Sequence, residues 1–410
     1  MSGPTGADPA APPTGEAVQA TLTGVPGARR RRVRAPVPLA ESRPVARVVV
    51  DRPLSHLDRV FEYGVPASMD ADVHPGVRVR VRFGGQDVDG FVVSRGDDAE
   101  HDGEIVPLRR VVSAEVVLTP EVLTLARHVA DACAGTLADV LRLAVPPRHA
   151  RTEAEDVAPP SDTADGHPVT APSDTVDGHP GTTVGTPEVP GSGAADWATY
   201  AGGAAFLRHV ADGGAPRAVW SALPGRGGRS WAQALADAVA TAVRAGRGAL
   251  VVVPTDSDVE LVTAALGPAG VRAWEPGADG GWVRLVAEDG PSARYRAFLA
   301  VVRGQATVVV GTRAAGFAPV RQLGLAVCWD EADPLHAEQR APYPHVRDVL
   351  LLRSELERCA LLVGGYSRST DAQRWVRDGV AHAVQADRAT VRRALARITA
   401  LGSADLASEG

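Results

Sequence analysis

The sequence contains no lysine and no asparagine, and all 43 of its basic residues are arginines. A phosphate-binding P-loop uses a lysine to reach the β- and γ-phosphates, and Schiff-base catalysis uses a lysine amine. Neither chemistry is available here in its usual form. A GC-rich coding bias toward Arg, Ala, Gly and Val explains the general pattern. It does not explain why a lysine-dependent site was allowed to go. Cysteine is scarce as well: Cys133, Cys328 and Cys359 stand far apart with no CxxC pair. That spacing excludes a readable zinc ribbon or disulfide framework. No apolar run approaches the ~18 residues of a membrane span. The first residues, Met1 to Gly15, lack the apolar core of a signal peptide, so a cytoplasmic protein without membrane contact is expected. The net charge of −6 makes no global electrostatic case for nucleic acid or membrane.

What is present describes a soluble globular chain: 410 residues, 45% hydrophobic and 22% charged. Residues 1–43 are rich in Pro, Gly and Ala and carry the run Arg29–Arg32, and they read as a disordered tail. A β-rich domain is expected over 44–112. Its most informative strand is Gly76–Phe83, where Val77, Val79 and Val81 alternate with Arg78, Arg80 and Arg82. A period of two places the valines on one face and the arginines on the other. Further strands are expected at Val45–Val50, Arg59–Val65, Phe91–Ser94 and Leu108–Val112. Residues 113–150 follow as a winged-helix-like module, with a helix opened by Thr119-Pro120-Glu121 and a second stretch, Thr136–Leu143. The Pro/Gly-rich segment 151–196 reads as a linker carrying two near-copies of Pro-Ser-Asp-Thr-x-Asp-Gly-His-Pro, at 160–168 and 172–180. From 197 to 385 short apolar strands alternate with helices, which argues a parallel sheet covered on both faces. Residues 386–410 hold one more helix.

Three places could carry chemistry. The turn Pro224-Gly225-Arg226-Gly227-Gly228-Arg229-Ser230 follows a strand and opens a helix, a geometry suited to phosphate. The lysine is missing, and Arg229 stands where a hydroxyl belongs. The same turn is a loosened GxGxxG, with Asp256 after the next strand, as in a dinucleotide-binding fold. Asp330-Glu331-Ala332-Asp333 follows the apolar strand Leu323–Trp329, and paired carboxylates there suit magnesium and an attacking water. Val308 to Pro319 reads as a strand followed by a polar turn.

In order, these pieces resemble the PriA family, primosomal protein N′. Val45–Val50, Arg59-Val-Phe61-Glu62-Tyr63, Pro75–Val79, Phe83-Gly84 and Gly90–Val93 are similar to its fork-binding domain. Leu118–Ala126 and Leu141–Pro147 are similar to its winged-helix region. Leu250–Pro254, Val310–Arg313, Gly324–Asp333 and Tyr343–Arg353 resemble stretches of its RecA-like helicase lobe. The resemblance implies a pocket for a nascent 3′ end at Phe61, Glu62, Gly84 and Arg109, with Glu62 where the family has aspartate. An aromatic ring there can stack on the terminal base and a cation can meet a phosphate. Arg78, Arg80 and Arg82 independently suit phosphate contact.

The family's nucleotide motifs are degraded in this chain. Its Gly-Lys-Thr becomes Gly227-Gly228-Arg229, its DEEH box becomes Trp329-Asp330-Glu331-Ala332-Asp333, and its Ser-Ala-Thr becomes Gly365-Tyr366-Ser367. The family's cofactors are ATP, magnesium and zinc. None is expected here, and the zinc-binding cysteines of the family are absent. The resemblance stops before the second motor lobe, so the chain is expected to be truncated relative to the family. It implies forked DNA, primosome proteins, the replicative helicase or its loader, and single-strand DNA-binding protein as partners, at the nucleoid. The expected function is recognition of abandoned forks and reloading of the replicative helicase without ATP-driven unwinding. Two alternatives stand beside it: an active 3′-to-5′ helicase with Arg229 in the lysine's place, and an unrelated Rossmann-type enzyme.

Overall fold

Five short segments rich in valine build the first part of the molecule. The computed structural model describes residues 37–100, 103, 105–155, 197–225 and 231–395. The arginine run at 29–32, the duplicated segments at 160–180 and the loop Arg226–Ser230 lie outside the described residues. Strands β1 (Val45–Val50), β2 (Phe61–Gly64), β3 (Val77–Phe83), β4 (Gln86–Gly96) and β5 (Arg110–Val116) form an antiparallel sheet in the order β2-β1-β4-β3-β5. The alternation in β3 is realised: Val77, Val79 and Val81 are wholly buried, while Arg78, Arg80 and Arg82 face outward. Full burial of each valine stabilises by about 1.5–3 kcal/mol. The segment before β5 links the edge strand β2 to β3. Leu108 N donates to Gly64 O at 2.9 Å and Arg109 N to Arg80 O at 2.9 Å. β5 runs to Val116, beyond the boundary at 112 that the apolar pattern suggests.

Residues 117–155 hold three helices and no strand, so the module after the sheet has no wing. Helix α1 (Pro120–Ala132) starts at the N-cap Thr119, as its proline and acidic first turn predict. Helix α2 (Leu137–Ala144) opens with a capping box between Thr136 and Asp139. Helix α3 (Ala150–Glu155) occupies the start of what composition assigns to the linker.

The remaining chain is an α/β lobe. Helix α4 (Gly203–Ala211) precedes β6 (Arg217–Ser221), α5 (Trp231–Arg244), β7 (Gly248–Val252), α6 (Asp256–Leu266), β8 (Trp282–Leu285) and α7 (Gly290–Val302). Then follow β9 (Val308–Gly311), β10 (Leu323–Trp329), α8 (Val346–Glu357), β11 (Ala360–Gly365), α9 (Thr370–Arg377), β12 (His382–Gln385) and α10 (Arg388–Ala394). The seven strands pair in parallel in the order β12-β6-β11-β10-β7-β9-β8. The central strands are continuous apolar runs, as a sheet covered on both faces requires. β8 and β12 escape sequence reading because they are four-residue edge strands with polar positions.

One buried cluster joins Val49 and Phe91 of the β-domain, the apolar faces of α1 and α2, and the lobe's α7 and α8. The β-domain, the helices and the lobe therefore share a core, and the described residues from Leu39 on belong to one compact unit. Among the described residues no helix is long and apolar enough to cross a membrane.

Candidate functional site

The β-domain gathers an aromatic rim. Phe61 on β2 and Phe83 at the end of β3 meet edge to face, with centroids 4.8 Å apart. Both pack their inner edges on the domain core. Beside them Gly84 and Gly85 turn the chain into β4 with φ of 54° and 80°, the left-handed conformation that a two-residue hairpin of this twist requires. A side chain added at either glycine would point into open space, so a ligand can approach the backbone there. Arg109 is exposed near this turn, with its Nε 3.6 Å from Asp87.

Phe61, Gly84 and Arg109 thus lie around the β3–β4 turn, but Glu62 does not join them. Strand alternation sends its carboxylate to the opposite face of β2. There Arg47 stands 3.4 Å away and Glu100 N donates to Glu62 Oε2 at 2.9 Å. The outward arginines of β3 have intramolecular partners. Arg80 makes a bidentate pair with Asp89 at 2.7 and 3.0 Å, and Arg82 pairs with Asp87 at 3.1 Å. Arg78 lies over the Phe91 ring at 4.9 Å and donates to Pro146 O at 3.0 Å, which ties the sheet to the end of α2. Sequence reading passed over Phe83, although it adjoins Gly84. It also passed over Arg59, which precedes β2 and lies over the Phe61 ring.

A second corner lies at the C-terminal ends of β6, β10 and β11. Gly225 is the last described residue before the glycine-rich loop; Gly227, Gly228 and Arg229 lie outside the described residues. Trp231 opens α5 beyond that loop, and its indole stacks on Trp329 at the end of β10. Trp220 and Tyr366 contact Trp329 at 5.4 and 5.5 Å. Asp330 has φ 49°, and burial, reinforced by Asp333, raises its pKa. Glu331 is 1% exposed. It accepts from Ser369 N at 2.7 Å, Ser369 Oγ at 2.8 Å and Arg347 at 2.9 Å, and Arg347 also reaches Asp371 at 3.0 Å. These side chains do not fit a magnesium-bound triphosphate. An indole packed in the core stands where the carboxylate is needed, and both Glu331 oxygens are taken. Among the described residues no group of three or more His, Cys, Asp or Glu is placed to hold a metal ion. Asp256, which a dinucleotide fold would aim at a ribose, shares a hydrogen bond with Glu288. Burial and that neighbour push its pKa up to about 6.

Comparison with known proteins gives matches of three kinds. A family model described as the 3′ DNA-binding domain (3′BD) of PriA matches residues 47–146. The "Probable replication restart protein PriA" of Mycobacterium leprae (strain TN) is 46% identical over 355 residues, covering 86% of this chain and 50% of that protein. Its counterpart in Mycobacterium tuberculosis (strain CDC 1551 / Oshkosh) is 47% identical over 350 residues, 84% of this chain and 48% of that one. The chain therefore spans about half the length of these curated relatives. Among solved structures, the Escherichia coli DExH-box NTPase HrpB aligns over 39% of this chain and 20% of that one, at 18% identity and a TM-score of 0.26. That likeness is too slight to carry a fold argument.

Proposed function

This chain belongs to the PriA replication restart family, and from that premise we propose that it recognises the 3′ end of a nascent strand at an abandoned DNA fork and promotes primosome assembly there, without ATP-driven unwinding. The observation that carries the reading is the aromatic rim of Phe61 and Phe83 beside the open Gly84–Gly85 turn. It lies inside the segment that matches a 3′ DNA-binding domain. A terminal base stacked on an aromatic side chain is worth about 1–3 kcal/mol. Arg109 at the same turn supplies a cation for the adjoining phosphate. The paired strand face of Arg80 and Arg82 and the acidic stretch Asp97–Glu104 favour a local contact over a long basic groove. The indole stack at the head of α5 supports the absence of nucleotide-driven cycling. Reloading of the replicative helicase through protein partners belongs to the same proposal and rests on the family resemblance alone.

Fluorescence anisotropy with forked DNA tests the reading. A fork with a 3′-hydroxyl end at the branch is expected to bind more tightly than the same fork lacking that end, and more tightly than plain duplex. Equal affinities for all three would overturn fork recognition.

A further inference from the structure

We infer that Arg52 and Arg59, rather than the arginines of β3, join Arg109 as the phosphate-meeting cations of the aromatic rim; this deepens the 3′-end reading above and rests on it. The argument is one of charge compensation. Arg47, Arg80, Arg82 and Arg95 each have a carboxylate within 3.4 Å, while Arg109 stands 3.6 Å from Asp87, which already pairs with Arg82. Arg78 is drawn into the contact with Phe91 and α2. Among the described residues no carboxylate pairs with Arg52 or Arg59. Arg43 and Arg110 share that freedom, but Arg43 precedes β1 at the end remote from Arg52, and Arg110 pairs with Arg80 on the adjacent strand β3. Neither touches an aromatic ring.

Arg52 and Arg59 flank the rim. The Arg59 guanidinium lies 5.0 Å from the centroid of Phe61, and Phe61 meets Phe83. Phe83 pairs across the hairpin with Gln86, whose Oε1 accepts from Arg52 at 2.7 Å. One guanidinium therefore lies against Phe61 and the other is held by Gln86, the hairpin partner of Phe83, and both are carried by the β1–β2 connection. That connection also exposes Leu54 at 49% and Val60 at 45%. Apolar surface, aromatic edges, a side-chain-free turn and two uncompensated planar cations together fit a nucleotide at a strand end. The base takes the apolar part, and the flanking phosphodiesters take the guanidinium forks. Arg80 and Arg82 would have to give up a carboxylate to do the same.

Salt titration of fork binding by the whole chain tests the assignment. Arg52→Ala with Arg59→Ala is expected to reduce the slope of log K against log salt by about two, one for each phosphate that no longer meets a guanidinium. Arg80→Ala with Arg82→Ala is expected to leave the slope unchanged. If the first pair fails to fold, Arg52→Gln with Arg59→Gln keeps most of each stem and is measured instead. An unchanged slope in a folded first pair, or an equal loss in the second, overturns the assignment. If the wild type binds fork and duplex equally, the 3′-end reading fails. The slope comparison then still decides whether these two arginines meet phosphate.

Discussion

The indole rings of Trp329 and Trp231 lie face to face, with centroids 4.3 Å apart and planes 8° from parallel. Trp329 ends the central strand β10, and Trp231 begins the helix that follows the glycine-rich loop. In an open parallel sheet, the crevice beyond such strand ends is where ligands bind. Here that crevice is lined from within by aromatic carbon. An aromatic pair of this kind adds about 0.5–1.5 kcal/mol beyond the area it buries. Trp329 itself is buried at the strand end, so the aromatic stack belongs to the lobe's packing.

Restoring the loop alone is then insufficient. Gly228→Lys with Arg229→Thr is expected to give no heat of binding with magnesium-ATP in calorimetry, since the indole stack and the engaged Glu331 remain. A measurable isotherm from that double variant would mean that the stack yields to nucleotide. Trp329→Ala is expected to cost about 3–5 kcal/mol in urea unfolding, as for a large buried aromatic removed from a close-packed site.

Glu331 and Arg347 form a buried pair, with side chains 1% and 7% exposed, closed on the far side by Ser369 and Asp371. Removing one partner leaves the other charge uncompensated. Arg347→Ala should lower stability by about 3–5 kcal/mol, and Glu331→Gln with Arg347→Met by less than the single alanine variant. Denaturant midpoints of the variants measure the difference. If the alanine variant keeps the wild-type midpoint, the pair does not stabilise the lobe.

Much of this architecture was legible in the sequence because periodicity is strong where burial is one-sided or complete. The valine–arginine alternation of β3 and the apolar runs of β7, β10 and β11 are of that kind. The Thr119-Pro120 signal and the amphipathic stretch Thr136–Leu143 located two helices. The edge strands β8 and β12 have neither pattern, and α3 is a short polar helix after a proline pair. Longer-range pairing was beyond reach. The Gly84-Gly85 turn implies that Asp87 and Asp89 stand across from Arg82 and Arg80, although that register went unread, and nothing along the chain says that Glu62 faces Arg47. Those contacts follow from strand register, which decides which charges remain available. Trp231 and Trp329 are 98 positions apart, and only the parallel sheet order brings them together.

His345 gives the fold a pH dependence on the acid side. Its side chain caps α8 by accepting from Arg347 N at 3.1 Å. Burial, aided by the Arg347 charge, pulls its pKa down to about 4. Between that value and the ordinary pKa near 6.5, the unfolded chain binds a proton that the folded chain refuses. The stability contributed by this group is therefore present above about 6.5 and falls as pH drops toward 4. His345→Asn keeps a capping acceptor and removes the titration. It should flatten the fall in denaturant midpoint across that window, and an unchanged slope would assign the effect to other groups.

The last prediction concerns the joint between the β-domain and the lobe. Glu153 of α3 accepts from Ser113 Oγ of β5 at 2.6 Å, from the Tyr295 hydroxyl of α7 at 2.9 Å and from Arg148 at 2.9 Å through both oxygens. Burial alone would raise its pKa, but the hydrogen bonds from Arg148, Ser113 and Tyr295 outweigh that and hold it below the ordinary value. A depressed carboxylate contributes stability that is complete above its unfolded pKa and is lost as pH falls through the folded one. Glu153→Gln removes the charge while keeping the shape. It should cost about 1.5–3 kcal/mol at neutral pH, the range for hydrogen bonds to a charged group. The deficit should shrink in acid, where the wild type is protonated as well. The shared core and the Glu115–Arg303 pair at 2.9 Å span the same joint. The β-domain and lobe should therefore still unfold together, with Tyr and Trp fluorescence and far-ultraviolet dichroism giving coincident curves. Two separated transitions in the variant would instead mean that Glu153 is the main tie between the two parts.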